Sequence, residues 1–166
     1  MNFKGEIEGL ELIVPDKIRD NRGWFQREYN FFTATQVAST YNIKSGTWRG
    51  LHYQVGASAQ RKLVRCIRGS IFDITVDLRS SSETYLKVFG TTLTAENRYL
   101  LNVPRGFAHG YLTLDDNSEV LYLMEGTQDK AAERGIRWDD PSIDIWLPFE
   151  PKVYSDKDNN WPDYKP

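Results

Sequence analysis

Lys62-Leu63-Val64-Arg65-Cys66-Ile67, then Arg68-Gly69, then Ser70-Ile71-Phe72-Asp73-Ile74-Thr75-Val76-Asp77-Leu78 is the stretch that decides the fold class. Both limbs alternate or run β-branched, and a two-residue break separates them, so the reading is a β-hairpin. Between Ile71 and Asp77 polar residues interleave with apolar ones, which predicts a strand with one buried face.

The same pattern continues outward in both directions. Upstream, Trp48 to Gln54 reads as a strand and Val55 to Gln60 as a small-residue loop. Leu10 to Val14 is a strand ended by Pro15; Asp20-Asn21-Arg22-Gly23 is a turn leading into a strand over Trp24 to Tyr29. Phe31 to Ser39 is the best candidate for a short helix. Downstream, Tyr85 to Thr94 and Tyr99 to Val103 are strands. Phe107 to Leu114, the turn Asp115-Asp116-Asn117-Ser118, and Glu119 to Met124 form a second hairpin. From Ala131 the tail is loop-rich, with Asp140-Pro141 and Leu147-Pro148 as breakers. Repeats and linkers are absent from the sequence, so residues 1–166 are read as a single domain. Many short strands with little helix indicate an all-β sandwich or barrel.

Composition narrows the function classes. Forty per cent of the 166 residues are hydrophobic, as in a globular chain with a sizeable core. A net charge of −2 argues against general affinity for nucleic acid or membrane surfaces. Five Trp and nine Tyr suit strand packing, with ring stacking on a base or sugar as the alternative. The lone Cys66 excludes an internal disulfide and is read as buried and inert. The polar start Met1-Asn2-Phe3-Lys4-Gly5-Glu6 and the lack of a long apolar run lead us to expect a cytoplasmic protein.

There are only two histidines. His52 lies in Arg49-Gly50-Leu51-His52-Tyr53-Gln54, shortly before Arg61-Lys62-Leu63-Val64-Arg65, and so among Arg49, Lys62 and Arg65. His109 lies in Pro104-Arg105-Gly106-Phe107-Ala108-His109-Gly110. Imidazole is the side chain best suited to take a proton near neutral pH, and neighbouring cations suit an anion or a developing oxyanion. His52 also reads as a core histidine satisfied by a backbone carbonyl, and His109 as a structural strand histidine.

Pro104-x-Gly106-x-x-His109 resembles the second motif of the cupin jelly rolls. The first cupin motif needs two histidines one residue apart, but His52 is followed by Tyr53-Gln54. With Lys62 to Cys66, Phe72-Asp73-x-x-Val76-Asp77-Leu78-Arg79, Thr94-Ala95-Glu96-Asn97 and Ser155-Asp156-Lys157-Asp158, the chain is similar to the dTDP-4-dehydrorhamnose 3,5-epimerase family from about Leu10 to Pro162. The resemblance implies a metal-free, cofactor-free cupin jelly roll (a double-stranded β-helix with a few short helical segments). It also implies a homodimer acting on a nucleotide-diphosphate 4-keto sugar, without nucleic-acid or membrane partners.

Such a sugar has acidified C–H bonds beside its carbonyl, and inverting those carbons takes a base, an acid on the other face and a group that holds the enolate. By resemblance His52 is the base and Asp158 holds its other ring nitrogen. Lys62 with His109 faces the C4 oxygen, and Tyr122 is the acid. Arg22, Phe25, Arg49, Gln54, Arg65 and Glu133 contact the rest of the substrate, with the Arg22 turn reaching into the neighbouring subunit. Read without the resemblance, Asp158 is a solvated tail charge, Lys62 a strand-edge lysine and Tyr122 a packed strand tyrosine.

The chain departs from the pattern in three places. The segment between Asn30 and Arg49 is short, with Gln36 and Asn42 as substitutes for a nucleotide-contacting stretch. Arg27 replaces an acidic residue, and Glu125-Gly126-Thr127-Gln128 lacks an aromatic pair. The expected activity is epimerisation at C3, C5 or both. A 3,4-ketoisomerase, a single-centre epimerase on a CDP- or GDP-linked sugar, and a non-catalytic carbohydrate-binding jelly roll are the alternatives.

Overall fold

The computed structural model describes residues 2–4, 7–30 and 32–166. Of the polar start only the backbone of 2–4 is therefore described, and Phe31, the first residue of the expected helix, lies outside the described residues. The strands in chain order are β1 (Asn2–Lys4), β2 (Glu11–Ile13), β3 (Lys17–Asp20), β4 (Gly23–Gln26), β5 (Gln36–Asn42), β6 (Trp48–Gln54), β7 (Arg61–Arg68) and β8 (Ser70–Asp77). They continue with β9 (Val88–Thr94), β10 (Leu100–Val103), β11 (Phe107–Thr113), β12 (Ser118–Glu125) and β13 (Glu133–Gly135). A single 3-10 turn spans Gly56–Ser58, and α1 is Asp156–Asn159.

Two antiparallel sheets face each other, ordered β1-β2-β10-β7-β12-β5 and β13-β6-β11-β8-β9, with β3–β4 as a separate hairpin. From β5 onward the chain passes back and forth between them, which is the jelly-roll pattern expected from the sequence. Val64, Cys66, Val120 and Leu101 from the first sheet meet Ile71, Leu93, Phe107 and Tyr111 from the second in one buried cluster. Cys66 is buried and free, with burial pushing its thiol up to about 11.

Three expectations about this architecture need correction. The expected helix over residues 31–39 is replaced by strand β5, which pairs with β12 from Gln36↔Met124 to Asn42↔Ser118. The alternation of Gln36, Ala38, Thr40 and Asn42 with Val37, Ser39 and Tyr41 is a strand pattern, and β12 supplies the hydrogen bonds. The two expected hairpins are corners instead. β7 pairs with β10 and β12, whereas β8 pairs with β9 and β11, so Gly69 turns the chain from one sheet to the other. The Asp115–Ser118 turn does the same between β11 and β12. Finally, β8 is buried on both faces. Ile71 faces the space between the sheets, while Phe72, Ile74 and Val76 lie beneath Ile143 and the partly buried Trp138, Ile145 and Leu147 of the tail.

The tail thus acts as an outer layer. Its end is fixed where Trp161 crosses β13: a β-carbon on Gly135 would lie 2.1 Å from Trp161 Nε1. Gly135→Ala is expected to destabilise the fold by about 1–3 kcal/mol through overpacking. It should also lower activity, because the segment it displaces carries Asp158. A urea melt beside a turnover assay checks this, and unchanged values in both would mean that the indole simply swings aside.

Candidate active site

Strand alternation fixes what enters the space between the sheets. On β7 the even positions Lys62, Val64 and Cys66 point inward, as do Val120, Tyr122 and Met124 on β12. From the facing sheet, β6 and β11 bring His52 and His109 side by side at paired positions. Past His109 the register of that pair shifts, and Gly50 and Gly110 pack backbone to backbone: a β-carbon on Gly50 would lie 2.6 Å from the Gly110 Cα. This close approach is what requires glycine on both strands.

The result is a cavity of about 390 Å³ lined by His52, Lys62, His109, Tyr122 and Asp158, with Arg49, Gln54 and Glu133 around them. Of the eleven side chains singled out in the sequence, these eight converge. Arg65, Phe25 and Arg22 do not. Arg65 is three residues from Lys62 on one strand and therefore on its opposite face, where it hydrogen-bonds Glu28, which also takes Arg98 at 3.1 Å. Arg22 pairs with Asp20 at 2.6 Å, and Phe25 is 59% exposed on β4.

Asp158 is no solvated tail charge. Ser155 caps α1, its Oγ accepting from the Asp158 N–H at 3.1 Å. The carboxylate, 5% exposed, stands 2.6 Å from His52 Nε2. Burial raises the Asp158 carboxyl, but the His52 hydrogen bond and charge, with Ser155 and the Gly50 N–H, outweigh it and hold the group below its ordinary range. His109 Nε2 in turn lies 2.9 Å and 3.0 Å from the two oxygens of Asp73, so each histidine has its own carboxylate.

Lys62 is on an interior strand, not an edge, and among the described residues it makes no ion pair. Burial pushes its ammonium down to about 8, partly offset by Asp73 and Glu133. Asp73 is raised by burial, and His109 and Lys62 pull it back only in part. Tyr122 is held well above the ordinary phenol by burial, with Tyr111 and Asp73 adding to the shift. Its ring stands edge-on to His109, with centroids 6.2 Å apart.

The rim is tied together by polar contacts. Gln54 donates to the Ser58 and Thr127 carbonyls at 2.9 Å and 3.2 Å and accepts from the Asp129 N–H at 2.6 Å, so its amide holds two loops. Glu133 pairs with Lys157 at 2.7 Å. Of the two substitutes considered for the nucleotide contact, Gln36 lines the cavity, whereas Asn42 accepts from Arg49 Nε at 2.8 Å. The sequence reading left Asp73 without a role, although its polar side chain on an apolar strand was the signal. A base, a phenol on the facing sheet and an ammonium around one space can move protons on a bound carbon acid.

The chain is similar to known epimerases. A profile of the family described as dTDP-4-dehydrorhamnose 3,5-epimerase matches residues 4–165. The dTDP-4-dehydrorhamnose 3,5-epimerase of Shigella flexneri is 42% identical over 95% of this chain and 92% of its own. A dTDP-4-dehydrorhamnose 3-epimerase of Streptomyces niveus is 32% identical over 93% of this chain and 79% of its own. Among solved structures, the 3,5-epimerase of Bacillus anthracis with TDP and PPi bound superposes with a TM-score of 0.93 at 32% identity, covering 99% of both chains.

Proposed function

The chain belongs to the dTDP-4-dehydrorhamnose 3,5-epimerase family, an isomerase-class family of epimerases, and from that premise we propose that it inverts C3 and C5 of a dTDP-linked 4-keto-6-deoxy sugar. One observation carries the reading: the His52–Asp158 pair and Tyr122 line a single cavity from facing sheets, with Lys62 beside them. Asp158 engages Nε2, which leaves Nδ1 of His52 to take the proton from carbon. The negative charge gathers on the C4 oxygen, where the Lys62 ammonium and His109 meet it. Tyr122 then delivers a proton to the other face. Holding the enolate supplies most of the barrier reduction, because a carbon acid is far weaker than an imidazolium.

Arg49 at the cavity takes the diphosphate through its guanidinium fork; the Bacillus relative binds TDP and PPi. Arg22 and Phe25, which lie away from this chain's own cavity, serve the partner's cavity in a homodimer. The Streptomyces relative, a 3-epimerase, supports a second reading in which only one centre is inverted.

Incubation with the dTDP-linked 4-keto-6-deoxy sugar in heavy water tests both. Deuterium at C3 and C5 with an inverted product is expected. Deuterium at C3 alone selects the second reading, and no exchange with any 4-keto sugar nucleotide rejects the enzyme.

Lys62 sets a pH signature. As pH rises through about 8 the ammonium is lost, so turnover is expected to fall on the alkaline side. Stability should move the other way: a lysine whose folded value lies below its unfolded 10.5 favours the folded state increasingly between about 8 and 10.5. Activity and urea midpoint that decline together over that range would count against the assignment.

A further inference from the structure

Asn42, the last residue of β5, is buried and reaches from the first sheet to the second. Its Nδ2 donates to the Ser118 carbonyl at 3.1 Å and to the Tyr111 hydroxyl at 3.2 Å. A carbonyl only accepts, so the Ser118 contact fixes which end of the amide faces which way. The acceptor Oδ1 is thereby turned toward β6, where Arg49 Nε donates to it at 2.8 Å. The Tyr111 hydroxyl is held in turn by Thr40 Oγ1 at 2.7 Å, so the amide is braced from behind. Arg49 itself is exposed at the cavity, and among the described residues it makes no ion pair and no other hydrogen bond. An arginine left free there would sample many rotamers and be ordered only by its ligand, at a cost to affinity. With Nε engaged, the guanidinium plane is set and both terminal Nη groups keep their N–H bonds for an anion. A side-on fork through Nε and one Nη is closed, and an end-on fork through the two Nη groups remains.

We propose that Asn42 is a positioning residue: it holds Arg49 for end-on recognition of the substrate's diphosphate before the substrate arrives. The inference rests on the reading of Arg49 as the diphosphate ligand and adds what aims it. Asn42 touches no substrate. It acts through the arginine, from a strand of the opposite sheet, so the cleft between the sheets is bridged where the diphosphate enters.

The test measures TDP affinity by calorimetry, and kcat and KM on the dTDP-linked 4-keto sugar, for Asn42→Leu, Arg49→Ala and the double variant. Leucine keeps the shape of asparagine without either polar end. In Asn42→Leu the TDP Kd and the KM are expected to rise about tenfold, while kcat falls by about threefold at most, because His52, Lys62 and Tyr122 are untouched. Arg49→Ala should weaken TDP at least as much, and adding Asn42→Leu to it should cost no more than about a further twofold, because no guanidinium is left to aim. Multiplying losses in the double variant, or a fall in kcat with KM unchanged, make Asn42 a support of the fold and overturn the proposal. Unchanged affinity in a folded Asn42→Leu beside a weakened Arg49→Ala overturns it alone; unchanged affinity in Arg49→Ala removes the diphosphate reading of Arg49 as well. Should Asn42→Leu fail to fold, nitrogen NMR of the native protein decides. The Arg49 Nε–H signal, assigned by its loss in Arg49→Ala, is expected to be sharp near neutral pH without ligand and to stay so with TDP. A signal that sharpens only when TDP is added means that the phosphates order the arginine, and overturns the proposal.

Discussion

His52→Ala is expected to lower both deuterium exchange and product formation by about 10³-fold or more, within the 10²–10⁴ range that a positioned acid or base contributes together with loss of its oriented partner. The imidazole is the only group at its position able to take a proton from carbon and return it near neutral pH. Lys62 is charged below about 8, and Asp158, held below the ordinary carboxylate range, is too weak a base. The variant has a stability consequence that must be separated from the chemical one. In the native protein Asp158 keeps its charge because the His52 hydrogen bond and charge, with Ser155 and the Gly50 N–H, together outweigh burial. Its folded value lies below its unfolded one, so its contribution to stability is present above pH 4 and fades as pH falls below that. Without the imidazole only Ser155 and the Gly50 N–H oppose burial, so that acid-sensitive contribution should shrink. His52→Asn is the matched control, because its amide still donates to the carboxylate but cannot act as a base. A folded His52→Asn protein that retains exchange would falsify the assignment of His52. Loss of exchange in His52→Ala alone, accompanied by unfolding, would mean only that the carboxylate lost its partner.

Several of the longer strands were legible in the sequence, β5 not among them, but their partners were not. Trp48–Gln54 falls where alternation and flanking turns put it. Whether the chain doubles back after Arg68-Gly69 within one sheet or crosses to another depends on surfaces far along the sequence. Those surfaces include the tail from Trp138 to Leu147 that buries Phe72, Ile74 and Val76. Asp73 and Thr75 lie on the other face of β8, with Ile71: polar residues on a strand read as facing solvent until a second sheet covers them. Asp158 was hidden for the opposite reason. A charge run at a chain end reads as hydrated, and only docking of α1 against His52 buries it. Arg65 could be placed from the sequence alone, since residues three apart on a strand do not share a face and it therefore lies opposite Lys62. Among the residues that do converge, the resemblance contributed what physics could not, namely which strand positions open on a cavity and which on a core.

Tyr122→Phe is expected to separate the two halves of the reaction. Its ring occupies the same space, so the inter-sheet core is preserved, but the side chain has no proton to give. His52 and Lys62 remain able to form the enolate and to return the proton to the face it left. Deuterium should therefore continue to enter the substrate, within about tenfold of the native rate, while net inversion falls by about 10²–10³-fold. The divided effect is the informative quantity, because burial alone makes Tyr122 a reluctant acid: its phenol lies well above its ordinary value, and releasing the proton leaves a charge in a poorly solvated place. The enolate supplies the demand, since a carbanion-like centre is a far stronger base than any phenolate. A proton is then returned to the Tyr122 phenolate from solvent through the open side of the cavity before the next turnover. Mass and NMR analysis of recovered substrate and product in heavy water reads both rates in one sample. Equal loss of exchange and inversion would place Tyr122 at enolate formation instead, and undiminished inversion would move the acid to another group on the facing sheet.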